Sequence, residues 1–196
     1  MADEDKKTEN ALYSPDDTVE VVDNRIYFHA DVYAKSAYLL TRALHDLDAQ
    51  NAAKKIRLGI SENIPIYIYM QSRGGFLNAG LAMLDAVRAT HSPVVAVVSG
   101  AAASAATFCV VGADHRIIQP HAKMMIHQGS GGFWGTMENA EDWIKNLRQN
   151  ARRIKDVYRA YTKVPKEELD SILKHDLWWD PNKCVKYGLV DEVADI

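Results

Sequence analysis

Apolar residues along this chain follow two spacings, and the alternation between them predicts the order of elements. Residues 94–98, Val-Val-Ala-Val-Val, form a short β-branched run bounded by Pro93 and Gly100, the pattern of a buried strand. Further strands are predicted at 25–29, 64–70, 116–118 and 123–127, with a last edge strand at 189–193. In 64–70 aromatics alternate with aliphatics, so both faces of this strand are expected to be covered, as in a parallel sheet. Helical spacing begins at Ala34, with Ala37, Leu40, Leu44 and Leu47 at three- and four-residue steps, and returns with Leu77, Leu81, Leu84 and Val87. Residues 51–63 read as a polar connection.

The longest periodic stretch is 136–162. Ala140, Ile144, Leu147, Ala151, Ile154, Tyr158 and Tyr161 step 4, 3, 4, 3, 4, 3, a heptad seam narrower than the stripe of an ordinary core-facing helix. A helix of roughly 27 residues is about 40 Å long and overhangs a body of this size, so part of its seam is expected to pack on another subunit. Short helices are predicted over 166–173, opened by Pro165, and from Asp180-Pro181 to Gly188. Strand, glycine turn, helix, strand and helix in succession argue for right-handed βαβ crossovers and an α/β layered fold. Residues 1–18 are polar and aperiodic and read as a flexible tail, leaving 19–196 as a single domain.

Composition narrows the partners. A length of 196 residues fits one sizeable core, and a net charge of -3 gives no electrostatic reason to expect nucleic acid or an anionic membrane. No apolar run reaches the roughly 20 residues of a transmembrane helix, and the N-terminus lacks the apolar stretch of a secretory signal. The two cysteines, Cys109 and Cys184, stand in unrelated contexts, so neither a disulfide framework nor a metal site is indicated; a reducing cytoplasm is the expected location.

Candidate chemistry gathers around Ser104. It follows the 94–98 strand through a block of small residues and stands at the start of a helical run, where unpaired backbone N–H groups can hold an anion. An acyl-transfer nucleophile needs that setting, with a base in reach. His127, at the end of an apolar strand, is the candidate base; Asp170, Asp176 and Asp180 are all spaced to orient it. The order Ser, His, Asp and the lack of a Gly-x-Ser-x-Gly elbow exclude the α/β-hydrolase scaffold. Ser130 is a rival nucleophile, placed low because a glycine-flanked loop does not fix its rotamer. Gly74-Gly75 lacks the third glycine of a dinucleotide fingerprint and reads as a βα turn offering a backbone N–H beside the sheet.

Several stretches together resemble the Clp protease proteolytic subunit family, serine peptidases of the crotonase-type fold: Tyr67-Ile68-Tyr69 with residues 72–75, residues 100–104, Met125-Ile126-His127-Gln128 with Gly131-Gly132-Phe133, and residues 185–191. The resemblance runs from about residue 25 to residue 196. It implies a layered βαβ spiral with the long helix as a protruding handle. It implies Ser104 as nucleophile, His127 as base, Asp176 as acid, the Gly75 and Ala105 N–H groups as oxyanion hole, and Gln128, Gly129, Ser130 and Gly131 as the strand that holds substrate. It also implies a homo-oligomer of two stacked seven-membered rings, unfolded polypeptide substrates and a separate AAA+ unfoldase partner. No cofactor is expected in this chain: ATP belongs to the partner, since no glycine here is followed by lysine and a phosphate-binding Gly-x-x-x-x-Gly-Lys loop is absent. The chain departs from the family at Arg73, where Pro is usual, at Ala105, where Met is usual, and at Gly129-Ser130, where Pro-Leu is usual. The alternatives are a non-catalytic ring subunit and an acyl-CoA enzyme of the same fold; the Ser, His and Asp set favours the peptidase.

Overall fold

The computed structural model describes residues 17–196, so all but the last two positions of the 1–18 tail lie outside it. Strand β1 (Thr18–Val22), not foreseen from its sequence, pairs antiparallel with β2 (Arg25–His29). From β2 the sheet continues in parallel through β3 (Ile66–Ser72), β4 (Val94–Ala103), β5 (His115–Ile118) and β8 (Glu192–Val193). Helix α1 (Ala34–Leu58) and helix α2 (Leu77–Ala89) make the first two crossovers. The expected α/β architecture is therefore present, with one contiguous core.

Register explains the burial. Ile26 and Phe28 stand beside Ile68 and Met70, which stand beside Ala96 and Val98, and all six are fully buried. The α1 residues Leu40, Leu44 and Leu47 and the α2 residues Met83, Leu84 and Val87 belong to the same cluster. The opposite face is less covered than the sequence suggests: Tyr27, Tyr67 and Tyr69 are only half-buried, and Tyr27 stacks on Tyr69 with ring centroids 5.0 Å apart. The aliphatic side of β3 takes both helices; its tyrosine side keeps contact with solvent.

Helix α1 corrects one boundary. Residues 51–58 are helical rather than a connection, and Gly59 ends the helix. Polar Asn51 continues the buried stripe one turn beyond Leu47 because its amide is fully used: Nδ2 donates to the Ile64 carbonyl and the Ser92 hydroxyl, and Oδ1 accepts from Asn24. A buried amide with such partners carries no desolvation penalty, so polarity at this position marks a core contact and not a loop.

Strand β4 is also longer than the apolar run that announces it. The small residues 99–103 extend it, and across Gly100 it changes neighbour: Val95 to Val98 pair with β5, whereas Ala101 to Ala103 pair with β6 (Lys123–Met125). The long helix, α4 (Met137–Tyr161), matches expectation closely, with Thr136 as N-cap accepting from the Asn139 N–H. Helix α5 (Lys166–Ile172), strand β7 (Trp178–Trp179) and helix α6 (Pro181–Lys186) follow, β7 being unforeseen. No described helix is long and apolar enough to cross a membrane.

Asp48 of α1 ties this helix to the entry of β4. Its carboxylate accepts from the Ser92 N–H at 2.7 Å, the His91 N–H at 3.2 Å and the His91 ring at 3.1 Å. Burial opposes the charge, but the hydrogen bonds from Ser92 and His91 prevail and bring the carboxyl down to about 2. A depressed carboxyl adds stability above its unfolded value, near 3.9, and loses it as pH falls through the folded value. Asp48→Asn should cost roughly 2 kcal/mol at neutral pH, with the deficit shrinking between about pH 4 and pH 2. Denaturant titrations of both proteins across that range check this; a deficit independent of pH would count against it.

Candidate active site

The pairing of β6 with β7 sets the geometry of the site. Met124 stands opposite Trp179 and Met125 opposite Trp178, antiparallel. Carried two residues further, the same register puts His127 opposite Asp176. Their side chains meet there, His127 Nδ1 lying 2.7 Å from Asp176 Oδ1. The two tryptophans that follow Asp176 anchor this segment: Trp179 is buried with its ring tilted against Tyr187, while Trp178 lies under the Lys123 ammonium. The other two candidate acids are engaged elsewhere, Asp170 with Lys155 at 2.9 Å and Asp180 as N-cap of α6.

Ser104 occupies the turn between β4 and helix α3 (Ala106–Val111). Because β6 pairs with the final residues of β4, the end of β6 lies beside that turn; the Ser104 N–H donates to the Met125 carbonyl at 2.8 Å. His127 Nε2 lies 2.8 Å from Ser104 Oγ. With the carboxylate accepting the Nδ1 proton, Nε2 is left as the acceptor facing the hydroxyl. Ser104 is held at φ 52°, a conformation that side chains other than glycine adopt rarely. Serine, histidine and aspartate therefore form one unbroken hydrogen-bonded line.

The glycine turn completes the setting. The Val32 N–H donates to the Gly74 carbonyl and the Phe76 N–H to the Val32 carbonyl, so the Gly75 N–H is turned away from Val32. Gly74 lies so close to the Ser104 turn that a Cβ on it would come within 2.7 Å of the Ser104 Cβ, and one on Gly75 within 2.3 Å of the Val32 carbonyl oxygen. Among the described residues neither the Gly75 nor the Ala105 N–H has a hydrogen-bond acceptor, and both residues line one cleft with Ser104 and His127. Arg73, where the family usually has Pro, pairs its guanidinium with both carboxylate oxygens of Asp31, at 3.4 and 2.8 Å. A side-chain tether to the loop after β2 restrains the turn here in place of a proline ring.

The cleft has a volume of about 440 Å³. Gln128, Gly129 and Ser130 line it, as does Ile154 from α4, whereas Gly131 does not; a Cβ built on Gly131 would meet only the Trp143 ring. The stretch from Gln128 to Gly131 is not a strand in this chain, and the Gln128 N–H is already bonded to the Leu173 carbonyl at 2.8 Å. Among the described residues no base is hydrogen-bonded to Ser130, whereas Ser104 has His127. Two residues of this site carry almost no sequence signal. Thr107, three positions after Ser104, donates its hydroxyl to the Ser104 carbonyl at 2.6 Å, and Tyr158 of α4 reaches Thr107 at 2.8 Å. A threonine inside an apolar helical turn was the only hint.

A family model described as Clp protease matches residues 12–196. The chain belongs to the Clp protease family. It is similar to the ATP-dependent Clp protease proteolytic subunit of Deinococcus radiodurans, 30% identical over 175 residues that cover 88% of this chain and 81% of that protein. Its fold is similar to that of a ClpP1 mutant from Listeria monocytogenes, with a TM-score of 0.75 at 23% identity, covering 88% of this chain and 92% of that one. This Clp protease is accordingly a peptide-bond hydrolase, and its Ser104, His127 and Asp176 have the arrangement that such chemistry requires.

If Asp176 fixes the histidine tautomer, Asp176→Asn should lower kcat for a short fluorogenic peptide by at least about 10²-fold with KM little changed. Asp180→Asn removes only a helix cap and should affect stability more than turnover. Steady-state kinetics of the two variants checks the assignment; the reverse ranking would show that another acid serves His127.

Proposed function

We propose that this chain is the proteolytic subunit of an ATP-dependent Clp-type machine, with Ser104 as nucleophile, His127 as general base and Asp176 as the acid that orients it. The observation that carries the proposal is the continuous line from Asp176 through His127 to Ser104 beside two backbone N–H groups, of Gly75 and Ala105, that have no acceptor among the described residues. His127 Nε2 takes the Ser104 hydroxyl proton as Oγ attacks the scissile carbonyl carbon, and Asp176 stabilises the resulting imidazolium. The oxyanion forms against the Gly75 and Ala105 N–H groups. His127 then passes its proton to the leaving amine, and the C–N bond breaks to leave an acyl-serine. Water attacks that ester with His127 again taking a proton; the C–Oγ bond then breaks as His127 returns the proton to Ser104 Oγ, and the acid product departs. No step needs a cofactor held by this chain. Gln128, Gly129 and Ser130 bound the channel where an extended substrate lies.

Assembly rests on α4. Its seam divides in two: Ile154 and Tyr158 are buried in their own body, with Val157 beside them, while Ile144 and Leu147 are 42% and 40% exposed, and Met137, before the seam, is 78% exposed. Part of the expected intersubunit seam is thus core, and the N-terminal half of the helix is the part available to another subunit. That exposed apolar stretch supports stacking of rings, seven-membered as the family resemblance implies, around an enclosed chamber. Unfolding and threading of substrates then belong to a separate AAA+ unfoldase, because this sequence has no phosphate-binding loop.

Two experiments test this. A fluorophosphonate should label the wild-type chain and not Ser104→Ala, and the variant should lose peptide hydrolysis while keeping its fold; the wild type alone should cut a short peptide and spare a stably folded protein. Turnover by pure Ser104→Ala would overturn the nucleophile, and degradation of the folded protein without ATP or partner would overturn the enclosed chamber. For assembly, Met137→Asp with Ile144→Asp places charges on the exposed half of α4 and should split the particle in sedimentation without unfolding the subunit. An unchanged sedimentation profile would remove α4 as the contact.

A further inference from the structure

Tyr158 and Thr107 form a buried hydroxyl pair in a core that is otherwise apolar at this point. Both are fully buried, on α4 and α3 respectively. Thr107 Oγ1 lies 2.6 Å from the Ser104 carbonyl oxygen and 2.8 Å from the Tyr158 hydroxyl. The donors can be assigned from the chemistry. A carbonyl can only accept, so the single Thr107 hydroxyl proton points to Ser104, and Tyr158 must donate to Thr107. Burial pushes the Tyr158 phenol pKa up, which keeps this proton in place at any working pH. The Thr107 N–H donates to the same carbonyl at 3.0 Å, and the Tyr158 ring packs against Phe108 with centroids 5.7 Å apart.

The Ser104 carbonyl and the Ala105 N–H belong to one planar peptide unit. Whatever fixes the oxygen at one end therefore fixes the direction of the hydrogen at the other. Donation to the carbonyl also polarises the unit, so the N–H becomes a stronger donor; chains of hydrogen bonds reinforce one another in this way. The unit most needs such support here, because Ser104 sits at φ 52° and the turn could relax toward a commoner conformation.

We propose that Tyr158 and Thr107 are positioning residues for the oxyanion hole: the relay Tyr158 O–H to Thr107 O–H to the Ser104 carbonyl holds the Ser104–Ala105 peptide plane so that the Ala105 N–H faces the developing oxyanion. The inference rests on the nucleophile assignment above and adds to it a tether between α4 and the catalytic turn. Neither side chain touches substrate. Their effect falls on the transition state, whose charge the Ala105 N–H meets, and not on ground-state binding.

The test uses the full assembled chain and compares Tyr158→Phe, Thr107→Val and Thr107→Ser. Removing an oxyanion donor outright costs about 10²- to 10³-fold in kcat, so loosening one should cost about tenfold in Tyr158→Phe and Thr107→Val, with KM within about twofold. Affinity for a peptide boronate, whose tetrahedral adduct places an oxygen in the same hole, should fall by a similar factor, while affinity for the product peptide stays level. Thr107→Ser keeps the hydroxyl and should recover most of the loss seen in Thr107→Val. Wild-type kcat in Tyr158→Phe, or a matched loss of kcat and product affinity, would overturn the inference. Should Tyr158→Phe fail to assemble, the Thr107 pair decides alone: equal kcat in the Ser and Val variants overturns it. Fluorophosphonate labelling of Ser104 in the wild type keeps the two questions apart, because absent labelling removes the nucleophile assignment itself, whereas normal labelling with unaffected variants removes only the relay.

Discussion

A side chain forced into a left-handed turn is what the rest of this site depends on. Ser104 at φ 52° carries a strain on the order of 1–3 kcal/mol, and such a conformation persists only where its surroundings over-determine it. Here three contacts do so. The Ser104 N–H is anchored to Met125 of β6, its carbonyl takes both the N–H and the hydroxyl of Thr107, and its flank rests on Gly74, where no Cβ could be accommodated. The turn raises the hydroxyl from the end of a buried strand into the cleft and leaves the Ala105 N–H without an acceptor among the described residues.

Strand β4 supplies both ends of that arrangement. Its first half is an ordinary central strand between β3 and β5; its second half leaves β5 and takes β6 as partner. The exchange brings the end of β6, and His127 beyond it, next to the end of β4. Pairing of β6 with β7 then delivers Asp176 by register alone. The hydrogen-bonded line from Asp176 through His127 to Ser104 is therefore a product of strand pairing, with no long side chain needed to span a gap.

Helix α4 joins the cleft to the exposed surface. It contributes Leu147 and Ile154 to the cleft and Tyr158 to the core under the Ser104 turn, while Met137 and Ile144 nearer its N-terminus stay in contact with solvent. One helix thus borders the site and carries apolar residues exposed among the described residues. The same helix reaches the Ser104 carbonyl through Thr107.

Periodicity along the chain determined the strands at 25–29 and 94–98, the α/β order, the limits of α4 to within a residue at either end, and the candidates Ser104 and His127, because burial repeats at the spacing of strand or helix and leaves its mark on residue type. It did not reveal where α1 ends, since Asn51 is polar and its buried partners lie far off in sequence. Nor could spacing separate Asp176 from Asp170 and Asp180, as all three are equally distant along the chain in any useful sense; the β6–β7 register made that choice. Strand β7 was hidden in two residues, too short for a period to show. The division of the α4 seam into core and free surface, and the meeting of Tyr158 with Thr107 across 51 positions, belong wholly to the tertiary structure. A heptad pattern records that a face is apolar, and only packing decides what lies against it.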